Sequence, residues 1–171
     1  IITRQGNRKN FSARGGISPI TGSLVVEGPL KKDTSSFMLS GRSSYSDWIL
    51  KKLNDPDIRN SSAAFNDLSA GINYDIRITQ VASFAYHSFD RVRLSDLNSY
   101  EYSNNGASAT FSHNFSNALR AEFSLIGSQY AFSTIDQQEE SNAYEHAYKM
   151  EHYEFRSDFK HLINDRHSLE Y

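Results

Sequence analysis

The chain contains no cysteine, no long apolar run and no excess of basic charge, and each absence removes a class of protein. Without cysteine there are no disulfides and no thiolate zinc sites, although outer-membrane and cytosolic chains can both lack it. Lys and Arg number 18 against 20 Asp and Glu, a formal net charge of −2, so no nucleic-acid partner is indicated. No apolar stretch approaches the roughly 20 residues of a membrane-spanning helix, and the mean hydropathy is −0.60. A helical membrane protein is therefore excluded. A barrel is not, because a barrel strand crosses in about 9 to 11 residues and shows only alternate ones to lipid. Ile1 to Asn10 carries neither a basic start with an apolar stretch nor a small-residue cleavage site. Either the chain is cytosolic or residues before Ile1 are missing.

What the chain does have is period-two alternation. Leu68, Ala70, Ile72, Tyr74 and Ile76 fall on one face of an extended segment, and Asp67, Ser69, Gly71, Asn73 and Asp75 on the other. Ala107, Ala109, Phe111 and Phe115 alternate in the same way with Ser108, Thr110, Ser112 and Asn114, with His113 as the exception. Tyr153, Phe155, Ser157, Phe159 and Ile163 alternate with Glu154, Arg156, Asp158 and Lys160, and there His161 is the exception. Four charges of alternating sign on one face need water or each other, outside a soluble sandwich or inside a barrel.

The pattern predicts strands at about Phe11 to Ser18, Gly22 to Leu30, Ser36 to Leu50, Phe65 to Ile76, Thr79 to Val92, Tyr100 to Phe115, Leu119 to Thr134 and Tyr144 to Ile163, with a ninth starting at Ser168. Long polar connections are expected at Lys51 to Ala64, after Val92, and at Ile135 to Asn142, and short turns at the other end. Strands of about 12 to 20 residues exceed the 5 or 6 usual in soluble sheets. Short turns at one end and long loops at the other match periplasmic turns and extracellular loops. Asp75-Ile76-Arg77-Ile78 leaves almost no room for a turn, which suggests absent or misread residues there. Aromatics near strand ends, Tyr45 and Trp48, Phe65, Tyr86 and Phe89, Tyr100 and Tyr102, Tyr130 and Phe132, Tyr144 and Tyr148, are expected to form headgroup-level girdles.

Catalytic ingredients are weak. His146 and His152 lie six apart, which on a strand separates them by about 20 Å at about 3.3 Å per residue, too far for shared metal ligation. Ser88 sits beside His87 and near Asp90, but adjacent strand residues point apart, and no Gly-x-Ser-x-Gly elbow occurs. No phosphate-binding glycine loop appears either. No catalytic residue, metal site or cofactor is assigned.

The opening Ile1-Ile2-Thr3-Arg4-Gln5-Gly6-Asn7 resembles the last plug strand of TonB-dependent outer-membrane receptors, where such a segment leads into the barrel. Gly16-Ile17-Ser18, Leu24 to Asp33, Ser36-Phe37 and Ser40-Gly41-Arg42 resemble the first barrel hairpins of such receptors of the Bacteroidota type. The resemblance covers about Ile1 to Tyr45 and rests on pattern alone beyond it. It implies an all-β, antiparallel transmembrane barrel of about 22 strands, of which this chain supplies eight or nine. Residues 1–10 would be the end of the plug and the lead-in, and residues 11–171 the barrel fragment.

The function so implied is active import of a nutrient ligand across the bacterial outer membrane. The partners implied are the lipid bilayer, the TonB energy-transducing complex acting through the missing plug, and a surface lipoprotein lid. Asp55, Arg59, Asp90, Arg91, Arg93, Tyr100 and Tyr102 are candidate ligand contacts by position in outer loops. Lumen-facing Arg42, Glu154, Arg156 and Asp158 are expected to pair with the plug or with neighbouring strands. The competing readings are a complete eight-stranded barrel serving as adhesin or anchor, and a barrel hydrolase.

Overall fold

The computed structural model describes residues 4–94, 98–136, 144–164 and 167–171. Within them the chain is all-β, one nine-stranded antiparallel sheet in which every strand pairs with its neighbours in sequence. The strands are β1 Ser12–Ile17, β2 Thr21–Lys31, β3 Ser35–Ser44, β4 Ser62–Ile76, β5 Thr79–Leu94, β6 Asn98–Asn114, β7 Leu119–Asp136, β8 Tyr144–Asn164 and β9 His167–Glu170. β1 and β9 are the two edges, so the sheet is open, as a segment of a barrel wall would be. The expected fold class and strand order hold.

The boundary that differs most from the sequence reading is the end of β3. β3 stops at Ser44 rather than near Leu50, and the chain turns into two four-residue helices, α1 Asp47–Leu50 and α2 Pro56–Arg59. Polar pinning explains the stop. The Tyr45 hydroxyl donates to the Ser18 carbonyl, and Trp48 Nε1 donates to the Pro19 carbonyl at 3.0 Å, which folds the connection over the β1–β2 turn. Asp55 then caps α2 by accepting from the Asp57 and Ile58 amides, with Pro56 at the first helical position.

The connection after Val92 is not long. β5 continues to Leu94 and β6 begins at Asn98, with an unbroken register from Leu94↔Asn98 down to Thr79↔His113. Polar residues on both faces of residues 90–94 and 98–104 look like loop in a sequence, yet the backbone ladder needs no apolar face to persist. The long connection expected over Lys51 to Ala64 is present between Ser44 and Ser62, and the strands lengthen from β4 to β8, 15, 16, 17, 18 and 21 residues. The connection expected around Ile135 to Asn142 falls largely outside the described residues, as do Ile1 to Thr3.

No residues are missing at Ile76. It pairs with Thr79 across a two-residue turn, and Arg77 makes that turn by adopting φ 52°, a left-handed conformation unusual for a residue with a side chain.

Register sorts the side chains onto two faces. One carries Leu24, Leu39, Leu68, Ile72, Val81, Phe111, Leu125 and Phe155, all exposed. Cross-strand rows such as Ile72↔Ser83↔Ala109↔Leu125↔Phe155 and Tyr74↔Val81↔Phe111↔Phe123 run along it. A shallow depression of about 590 Å³ lies over its small residues Gly41, Ala70 and Ala85.

The opposite face is polar and cross-linked. Ser40 bonds Ser69 at 2.7 Å, Thr110 bonds Ser124 at 3.0 Å, and Ser112 donates to Glu122 at 2.8 Å. Of the charges expected to pair with the plug or neighbouring strands, Arg42 pairs across to β4, whereas Glu154, Arg156 and Asp158 find partners within β8 itself. Arg42 holds Asp67 through Nε and Nη2, Arg156 meets Asp158 at 3.0 Å, and His152 meets Glu154 at 3.3 Å.

Residues 4–10 lie against this polar face at the short-turn end. Arg4 reaches Glu27 at 2.7 Å, and Arg14 of β1 reaches the same carboxylate oxygen at 3.1 Å. The Asp33 amide donates to the Arg8 carbonyl, and the Arg8 guanidinium pairs with Asp75. Gly6 packs so close to β3 that a Cβ there would sit 2.3 Å from the Phe37 carbonyl oxygen. Only glycine fits.

Candidate functional site, an aromatic ladder on the polar face

Above the serine-rich part of the polar face, at the end away from the short turns, the small polar residues give way to aromatic rings. One cross-strand row reads Phe65↔Asp90↔Tyr102↔Phe132↔Tyr148 from β4 to β8. The ring centroids of Tyr102 and Phe132 are 4.9 Å apart and those of Phe132 and Tyr148 5.3 Å. Interplanar angles of 42° and 46° make a tilted ladder rather than a flat stack, the geometry aromatic quadrupoles favour over face-to-face contact.

The flanking rows extend it. Ser88↔Asn104↔Tyr130↔Met150 lies toward the short turns, with Tyr130 5.8 Å from Tyr148. Val92↔Tyr100↔Thr134↔His146 lies beyond, with His146 6.1 Å from Tyr148. Tyr102, Phe132 and Tyr130 are half-buried, while Tyr148, which touches both Phe132 and Tyr130, keeps 45% of its surface open. Polar groups fringe the rings. Ser88 is buried and accepts from the Asn104 amide at 3.3 Å, with Asp90 and Thr134 on either side.

This placement corrects the expected girdle. Phe65, Tyr86, Tyr100, Tyr102, Tyr130, Phe132, Tyr144 and Tyr148 share the parity of Asp67, Ser88, Asn104 and Ser128, so they stand on the polar face and not on the apolar one. A headgroup girdle needs them outward. Their nearness to strand ends was the wrong criterion. Extending the alternation of β6 from Ser112, Thr110 and Ser108 up to Tyr102 and Tyr100 identifies the correct face without any structure.

The sequence-picked ligand candidates separate by the same rule. Asp90, Tyr100 and Tyr102 come together on the polar face, with Asp90 directly opposite Tyr102. Arg91 and Arg93 point to the apolar side of the sheet, where Arg91 Nε donates to Glu101 at 2.7 Å and stacks on Phe89. Asp55 is occupied as the cap of α2 and Arg59 closes the same helix, both exposed in the β3–β4 connection. Phe132, Tyr130 and Tyr148 were not picked as contacts although they complete the ladder.

Ser88 and Asp90 share this face, whereas His87 lies on the other and bonds Asn105 at 2.7 Å. Among the described residues no group of three or more His, Asp or Glu converges as a metal site. No protein-family profile, curated protein or solved structure matches this chain. Chemically, the ladder offers ring faces and a fringe of hydroxyl, amide and carboxylate groups. Such a surface suits a ligand with both apolar and hydrogen-bonding edges.

Proposed function

We propose that this sheet is part of the wall of a bacterial outer-membrane transporter of the TonB-dependent type, importing a nutrient ligand through a plug-gated barrel of about 22 strands. The observation that carries this reading is the two-faced sheet. From Ile76 to Leu68 the apolar face of β4 covers eight residue steps. That is about 26 Å along the strand and about 20 Å once tilted by 35–45°, near the roughly 25 Å apolar band of such barrels. The opposite face pairs its charges with one another, both between strands and along them, as side chains lining an aqueous lumen would.

Two further features support a large wall over a closed eight-stranded barrel. The sheet has nine strands paired in sequence order, one more than an eight-stranded barrel holds. The lead-in of residues 4–10 on the polar face also supports a plug held inside. In this reading ligand binds from outside at the aromatic ladder, loops and plug surface, and the inner-membrane energy complex pulls the plug to open a path. No bond is made or broken.

The test is the native protein's location and mass. Recovery in the outer-membrane fraction as a heat-modifiable chain several times heavier than 19.4 kDa is the expected result. A soluble protein, or a mature chain near 19.4 kDa, contradicts it.

A further inference from the structure

Charge on the ladder's face narrows what it can hold. From the row of Tyr86 to the far ends of β5 to β8, the described residues of that face include no Lys or Arg. The nearest cation on the face, Arg42 of β3, is engaged by Asp67, and Arg91, Arg93 and Lys149 stand on the other side of the sheet. A phosphate or multi-carboxylate ligand would find no Lys or Arg counter-charge among the described residues of this stretch, and would meet the like charge of Asp90. A purely apolar ligand would strip water from Asp90 and Thr134 without replacing its hydrogen bonds.

We infer that the ladder Tyr102, Phe132 and Tyr148, flanked by Tyr130 and Tyr100, binds a neutral oligosaccharide. A sugar ring has an apolar C–H face to lay on an aromatic ring and hydroxyls at its rim. Asp90 and Asn104 accept and donate at that rim, and a carboxylate beside a ring suits a pair of adjacent hydroxyls. Rings repeat from strand to strand at about the 4.8 Å spacing of the sheet, close to the length of one sugar unit. Successive units of a chain lying across β6, β7 and β8 would therefore each meet a ring. This assignment deepens the transporter reading and rests on it.

The experiment uses the full-length native chain in detergent micelles and isothermal titration. The probes are maltoheptaose, cellohexaose and a neutral xylo-oligosaccharide, with ferric citrate as the anionic probe. At least one neutral oligosaccharide is expected to bind. Tyr102→Ala and Phe132→Ala should each weaken it by about tenfold or more, Tyr102→Phe should retain most of the affinity, and Arg91→Ala on the opposite face should change nothing. Heat-modifiable mobility establishes that each variant folds.

The assignment fails if no neutral oligosaccharide binds, if binding ignores both ring removals, or if ferric citrate is the probe that the ring variants lose. Those outcomes are separable from failure of the transporter reading, which is decided by membrane location and chain mass alone.

Discussion

Tyr102 and Phe132 stand directly opposite each other on β6 and β7, with ring centroids 4.9 Å apart and planes inclined by 42°. Such a pair contributes about 0.5–1.5 kcal/mol beyond the area it buries. A double-mutant cycle with Tyr102→Ala and Phe132→Ala, read by urea unfolding of the detergent-folded protein, should return a coupling in that range. Strict additivity would mean the rings are neighbours without interacting.

Gly6 allows residues 4–10 to lie on β3. Gly6→Ala places a methyl 2.3 Å from the Phe37 carbonyl oxygen, and backbone cannot yield that distance cheaply. The segment should lift, breaking Arg8 to Asp75 and Arg4 to Glu27. Hydrogen exchange at the Asp33 amide, which Arg8 protects, should accelerate at least about tenfold, while β6 and β7 amides stay unchanged. Unaltered protection at Asp33 would show that the segment is held elsewhere.

Arg77 sits at φ 52° in a turn that glycine would make without strain. Arg77→Gly should stabilise the sheet by about 0.5–1 kcal/mol, the strain of about 1–2 kcal/mol being partly offset by greater freedom of the unfolded chain. Arg77→Pro should destabilise it, because proline cannot adopt positive φ. Equilibrium unfolding of both variants checks the pair, and equal stabilities would contradict the turn geometry.

Glu27 is 3% exposed and takes both Arg4 and Arg14 on one oxygen. Glu27→Gln keeps the shape but removes the charge both guanidiniums face. Because the arginines are themselves half open to water, the loss should be modest, about 1–2 kcal/mol. Additional 0.5 M salt should shrink the difference between the two proteins. A variant as stable as the parent at low salt would show the cluster to be incidental.

Much of this architecture was legible in the chain because period-two alternation survives wherever one face is apolar. Leu68 to Ile76 and Ala107 to Asn114 fall where their parity puts them, and Phe115 already belongs to the turn. The reading weakened where both faces are polar, around Asp90 to Leu94 and Asn98 to Asn104, since ladder hydrogen bonds rather than side-chain contrast keep those strands going. It also overran at Tyr45 and Trp48, whose rings look like strand ends but whose polar tips tie a connection to the Ser18 and Pro19 carbonyls. The ladder was half visible. Asp90, Tyr100 and Tyr102 were picked from position, and Phe132 and Tyr148 join them only once pairing brings β7 and β8 alongside.

The central claim is that one face of this sheet meets lipid and the other water. These 171 residues contain no cysteine, so the claim is directly measurable once any cysteine elsewhere in the full-length protein is replaced. Single cysteines at positions 122 to 128 of β7, in the protein embedded in its native membrane, are treated with a membrane-impermeant thiol reagent after outer-membrane permeabilisation and with a lipid-confined one. Glu122, Ile126 and Ser128 should take the hydrophilic label, and Phe123, Leu125 and Gly127 the lipid one, while position 124, only 2% exposed, should take little of either. Uniform hydrophilic labelling of both sets would contradict a membrane wall.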